Sequence, residues 1–232
     1  VMVDAGYVLS ALVALAATFS AIAGLIVLEG FFRDKLKELF DDTNYLIFFF
    51  LVSGYFMYGL GEALYFLTNI TLSDSGYFGV HDIYWLGGGI LILLSFIFLS
   101  ATFAKRNQQG HKLMILLLIG VALALVVSFV TINGSFAFSN LYPIISSLIV
   151  AFAMGVFFFD EHLGGLAFPL KIFFFASLFI LLADILFSSG ITILTTEISL
   201  IISDTLYFVG YALSGTAFLT LRKRWHSLAN GN

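Results

Sequence analysis

Long apolar runs separated by short polar breaks dominate the chain. A helix that crosses a bilayer needs about 20 mostly apolar residues. The runs predict seven such spans, at 6–28, 45–70, 80–104, 113–132, 141–159, 168–190 and 197–221. The breaks between them are rich in charge and turn formers: RDKLKELFDD (33–42), TLSDSGYFG (71–79), KRNQQGHK (105–112), NGSFAFSN (133–140), DEHLGG (160–165) and the segment 190–196. The first break brings Phe32, Leu36, Leu39 and Phe40 onto one face, which predicts a short interfacial helix over about 31–41. The connections leave no room for a soluble domain. The fold class is therefore all-α, a polytopic seven-transmembrane-helix bundle forming one domain over 1–232.

Composition strengthens this picture. The 232 residues are 61% hydrophobic and 10% charged, with a mean hydropathy of +1.07, whereas soluble domains hold about 45–50% apolar and about 25% charged residues. A net charge of -4 and a pI near 5.4 give no basic footprint for nucleic acid. The absence of cysteine excludes disulfides and thiolate chemistry. The bilayer is the first partner.

The ten basic residues orient the bundle. Arg33, Lys35, Lys37, Lys105, Arg106, Lys112, Lys171, Arg222, Lys223 and Arg224 all fall on one side of the predicted topology. Basic residues favour the cytoplasmic side, so the N-terminus is expected outside, the C-terminus in the cytoplasm, and the protein multi-pass in the cell (plasma) membrane. The first stretch lacks a basic n-region, so it is expected to be a retained span and not a cleaved signal. Small residues at Ser10, Ala14, Ala17, Ala21 and Gly24 make a stripe suited to close helix packing.

The chain also matches itself. A shift of 122 residues aligns spans two and three with spans six and seven, giving eight identities over positions 60–99, among them Asp82/Asp204 and Gly88/Gly210. Glu62 falls on Asp184, Tyr65 on Phe187 and Trp85 on Tyr207. Each half reads acid, nineteen residues, then Asp-x-x-aromatic-x-x-Gly. Four spans separate the copies, so they run in the same direction through the membrane. The expected plan is a parallel repeat of three helices, one linker helix and three helices.

Acids inside spans are costly and mark functional sites by default. At 1.5 Å per residue, Asp184 lies roughly 20 Å from the cytoplasmic boundary, Asp204 and Glu62 about 27–30 Å, and Asp82 about 34 Å. These four acids occupy the outer half, where no Lys or Arg is available to them. Either protons neutralise them or a cation does, such as a metal ion, Na⁺ or an organic amine. Tyr65, Trp85, Tyr207 and Tyr211 lie close in sequence and can line the same pocket by hydrogen bonding or cation–π contact. Two structural readings stand beside this one. Asp82 also fits an N-cap of the third span, and Glu62 and Asp204 also fit hydrogen bonds between helices.

Other motifs carry less. Gly87, Gly88 and Gly89 suit close packing of the third span, the run Asp160-Glu161-His162 suits a solvated boundary, and Asn133-Gly134-Ser135 matches the glycosylation triplet. No cofactor is evident. Retinal needs a Lys in the last span, and none precedes Lys223 in the seventh. His81, His111, His162 and His226 all sit at ends, loops or tail, which leaves no bis-His haem or buried tri-His zinc site. Neither a G-x-S-x-G elbow nor a P-loop occurs.

The runs LLADILFSSG (181–190) and SDTLYFVGYALSG (203–215) resemble the seven- or eight-helix membrane modules that precede signalling domains in prokaryotic sensor proteins. The resemblance covers about a fifth of the chain and is echoed in spans two and three. It implies a sensor whose output passes to a separate partner, because only eleven residues follow the seventh predicted span. GEALYFL (61–67) and IISDTLYF (201–208) are fainter in their similarity to intramembrane hydrolases built on paired Asp residues. Three readings follow. One is a binding module, sensor or small transporter, with an acidic cation- or proton-binding site. Another is a non-catalytic subunit of a larger membrane complex with other membrane subunits as partners. The third is an intramembrane hydrolase in which two acids activate water.

Overall fold

A computed structural model describes residues 5–32, 43–71, 79–132, 136–189 and 196–229. It contains α1 (Ala5–Phe32), α2 (Thr43–Thr71), α3 (Val80–Arg106), α4 (Gly110–Thr131), α5 (Leu141–Ala153), the short α6 (Gly155–Phe158) and α7 (Asp160–Leu163), α8 (Ala167–Ser189) and α9 (Thr196–Ala229). Seven helical segments are long and apolar enough to cross a membrane, one for each predicted span. The predicted interfacial helix and the Asn133 triplet fall almost wholly outside the described residues.

Helical backbone satisfies its own donors and acceptors, which a bilayer cannot do. Hydroxyls follow the same rule. Thr18, Thr131, Ser177 and Ser214 each donate to the carbonyl four residues earlier, which hides a polar group against its own helix. Elsewhere hydroxyls join neighbours: Ser95 Oγ donates to Ile47 O at 2.9 Å, and Ser100 Oγ to Phe152 O at 3.2 Å.

Six of the long helices close a ring. α1 packs on α2, α2 on α3, α3 on α5, α5 on α8, α8 on α9, and α9 returns to α1. The small-residue stripe places α1 in this ring, with Ala14, Ala17 and Ala21 buried. α4 lies outside, chiefly against α5. Its outward side chains include Leu118, Leu125 and Phe129, the last 88% exposed. In a bilayer, lipid covers that surface.

Two close approaches set the ring's geometry. A methyl group added at Gly88 of α3 would lie 2.8 Å from both the Gly54 carbonyl oxygen and the Tyr58 ring of α2. One added at Gly210 of α9 would lie 3.2 Å from the Ala176 carbonyl oxygen and 2.8 Å from the Ile180 side chain of α8. The α3 helix stays continuous through its three glycines, so they serve packing.

Two boundaries differ from those predicted. The seventh helix runs on to Ala229 instead of stopping near 221, because a helix needs no bilayer once its backbone is paired. The fifth span is interrupted at Met154 and Phe159. There Lys112 Nζ donates to the Phe158 carbonyl at 2.7 Å, satisfying a helix-end acceptor. Beyond the break Asp160 pairs with Lys171 at 2.7 Å in an exposed position, a solvated boundary.

Candidate functional site

A cavity lies inside the ring, towards the end where α2 finishes and α3 begins. It holds about 570 Å³ of non-atom space between α2, α3, α5, α8 and α9. Glu62, Asp184 and Asp204 line it, together with Tyr65, Trp85, Tyr207 and Tyr211. Seven of the eight residues singled out in the sequence therefore meet on one surface. Helical spacing explains the convergence within each element: Tyr58, Glu62 and Tyr65 share one face of α2, as do Tyr207, Tyr211 and Asp204 on α9.

Each deep acid is held by a hydroxyl. Glu62 and Asp184 are both 6% exposed. Tyr211 Oη donates to Glu62 Oε1 at 2.8 Å. Asp184 takes two donors, Tyr207 Oη at 2.5 Å and Ser146 Oγ. These bonds tie α2 to α9 and α8 to both α5 and α9. Asp204 differs. It lines the cavity, and among the described residues no group hydrogen-bonds its carboxyl.

Asp82 is the residue left out of the cavity lining. Its Oδ2 accepts from the Gly79 backbone N–H at 2.6 Å, closing the first turn of α3. Its Oδ1 accepts from Tyr142 Oη, and His81 Nε2 lies 3.7 Å away. The Asp82 carboxyl caps a helix and fastens α3 to α5.

Aromatic rings make up most of the remaining wall. Tyr65 and Trp85 sit 5.3 Å apart by ring centroid, Trp85 and Tyr142 5.8 Å, and Tyr207 and Tyr211 6.2 Å. The buried indole Nε1 of Trp85 has no hydrogen-bond partner among the described residues. Sequence reasoning missed Tyr58, Tyr142 and Ser146, which also line the cavity. Tyr58 had a signal, one helical turn before Glu62. Tyr142 and Ser146 had none, because α5 contains no acid to mark its inner face.

Among the described residues no Lys, Arg or His lines the cavity, and no three metal-ligating side chains converge on one point. Three carboxyls within a ring of aromatic faces suit a cation that those faces can attract. Comparison with protein-family models, curated proteins and solved structures found no match.

Proposed function

We propose that this chain is a membrane-embedded binding module, sensor-like or a small transporter, whose cavity takes an organic ammonium ion. The observation that carries the reading is Asp204: among the described residues no group hydrogen-bonds its carboxyl, and the cavity wall it lies on holds two further acids and no basic side chain. Asp204 is itself half-buried, but Glu62 and Asp184 beside it are buried, and a buried carboxylate requires a proton or a counter-cation. Aromatic side chains favour an organic cation over a bare metal ion, because the positive charge rests on ring faces while its carbon substituents fill apolar space.

The placement of basic residues supports an opening on the outer side. On the opposite side Tyr55, Phe173 and Phe218 pack as a triad, with ring centroids 4.7–5.7 Å apart. All three are almost fully buried. That plug favours a receptor-like pocket over an open pore.

The duplication is part of the proposal. Positions 58/180, 62/184, 65/187, 85/207 and 89/211, each 122 apart, all line the cavity. Gly88 meets positions 54 and 58, and Gly210 meets 176 and 180, which are the same positions one repeat later. On this reading two equivalent hairpins, α2–α3 and α8–α9, face each other across the ligand.

Calorimetric titration of the full chain in lipid nanodiscs tests the reading, with tetramethylammonium and n-butylammonium as probes and Na⁺ as control. Both ammonium ions are expected to bind, and Asp204→Asn to weaken them by about 2 kcal/mol or more, on the order of thirtyfold in Kd. Identical isotherms for wild type and Asp204→Asn would sink the proposal, as would stronger binding of Na⁺ than of either ammonium.

A further inference from the structure

Trp85 takes its place on the cavity wall against a bare stretch of α2. Gly61, buried and next to Glu62 in sequence, faces the indole. A methyl group added at Gly61 would lie 2.5 Å from Trp85 Cδ1 and 2.7 Å from its Nε1, well inside the roughly 3.5–4 Å at which non-bonded carbon atoms settle. The indole has no easy retreat. Tyr65, His81, Tyr142 and Phe187 surround it, with ring centroids 4.9–6.4 Å away. Those rings come from α2, α3, α5 and α8, so moving the indole disturbs a wall built by four helices.

The other hairpin fills the matching positions differently. The residues 122 later are Ala183, which is fully buried, and Tyr207. Tyr207 is a smaller ring that spends its hydroxyl on Asp184 at 2.5 Å. Trp85 stands beside the Glu62 carboxyl, but its N–H completes no hydrogen bond among the described residues. Both Asp184 oxygens and Oε1 of Glu62 already accept hydroxyls. An ammonium N–H therefore competes with donors that are in place. Asp204 offers its charge to any cation, but a primary ammonium carries three N–H donors to satisfy. A quaternary ammonium carries none, and its methyl groups pack on rings.

We infer that the cavity selects N-methylated ammonium ions over primary ones, with Trp85 as the specificity-determining ring and Gly61 as the positioning residue that admits it. This rests on the ammonium reading and narrows its ligand class. Gly61 touches no ligand. It acts through the indole, by leaving α2 without a side chain where Trp85 must lie. The Ala183–Tyr207 pair is the built-in contrast: a methyl on the helix goes with the smaller ring.

The test compares tetramethylammonium with n-butylammonium, isomers of one formula and one charge, by calorimetry on the full chain in detergent micelles. Tetramethylammonium is expected to bind about tenfold more tightly. Trp85→Tyr should bring that ratio to about one. Gly61→Ala should do the same in the wild-type background, yet change nothing further in the Trp85→Tyr background, where the smaller ring leaves room for the methyl. A merely structural role for Gly61 would instead give equal losses in both backgrounds. Fluorescence adds a direct reading, because Trp85 and Trp225 are the two tryptophans of the chain. With Trp225→Phe, the emission of Trp85 should change on saturation with tetramethylammonium, with the calorimetric midpoint. That measurement and Trp85→Tyr decide the matter even where Gly61→Ala disturbs folding. Tighter binding of n-butylammonium, a ratio unchanged in Trp85→Tyr, equal losses for Gly61→Ala in both backgrounds, or emission unmoved by tetramethylammonium would overturn this selectivity while leaving ammonium binding in place. Failure of both isomers to bind would overturn the ammonium reading as well.

Discussion

The α2–α3 and α8–α9 hairpins carry the same spacing of acids, aromatics and glycine, yet the structure uses their second acids in opposite ways. Asp82 is spent on structure: it holds the first turn of α3 and takes the Tyr142 hydroxyl from α5. Asp204, 122 residues later, lies on the cavity wall with no such bond among the described residues. The helix crossings differ in the same direction. Gly88 meets a glycine carbonyl on α2, whereas Gly210 meets the carbonyl of Ala176 at a slightly longer distance. One hairpin is locked and the other has a free functional group. The comparison teaches that equal spacing along the chain does not settle what a carboxyl does; the neighbouring helix decides it. α5 brings Tyr142 to Asp82, and among the described residues nothing equivalent reaches Asp204.

Substitutions at matched positions probe this asymmetry by thermal unfolding of the protein in detergent. Asp82→Ala should have the largest effect, a loss of about 2–3 kcal/mol, because it strands the buried Tyr142 hydroxyl and the Gly79 N–H together. If Asp82→Ala proves neutral, the locked hairpin is not locked by this residue. Gly88→Ala should cost about 2 kcal/mol, since the new methyl meets a backbone oxygen that cannot turn aside. Gly210→Ala should cost only about 1 kcal/mol, because the nearest atom belongs to the Ile180 side chain, which can rotate. Equal losses at the two glycines would remove the difference between the crossings. Asp204→Asn should change stability by no more than about 0.5 kcal/mol, although the same substitution should abolish most ammonium binding. A large loss of stability in Asp204→Asn would show that this carboxyl, too, serves the fold.

Much of this arrangement was legible beforehand. The seven spans follow from apolar run length alone, since every spanning helix must be apolar over a fixed thickness. The buried acids stood out because a carboxyl in hydrocarbon is rare and costly, and Glu62, Asp184 and Asp204 do meet in one cavity. Other parts were not legible. Tyr142 and Ser146 lie on a helix with no acid, in a chain where tyrosine and serine are common, so nothing along the chain marks them. The break at Met154 and Phe159 falls within a run that is apolar throughout.

The sequence by itself determined the class of fold, the number of spans and which acids were placed at risk by burial. Those properties depend on transfer from water to hydrocarbon, which each segment undergoes almost independently of the others. Only the tertiary structure decided which acid caps a helix, which are held by hydroxyls inside the cavity and which has no hydrogen bond among the described residues. Hydrogen bonds reach about 3 Å, and whether Tyr142 or Tyr211 comes within that distance of a carboxyl depends on how five helices pack around one cavity.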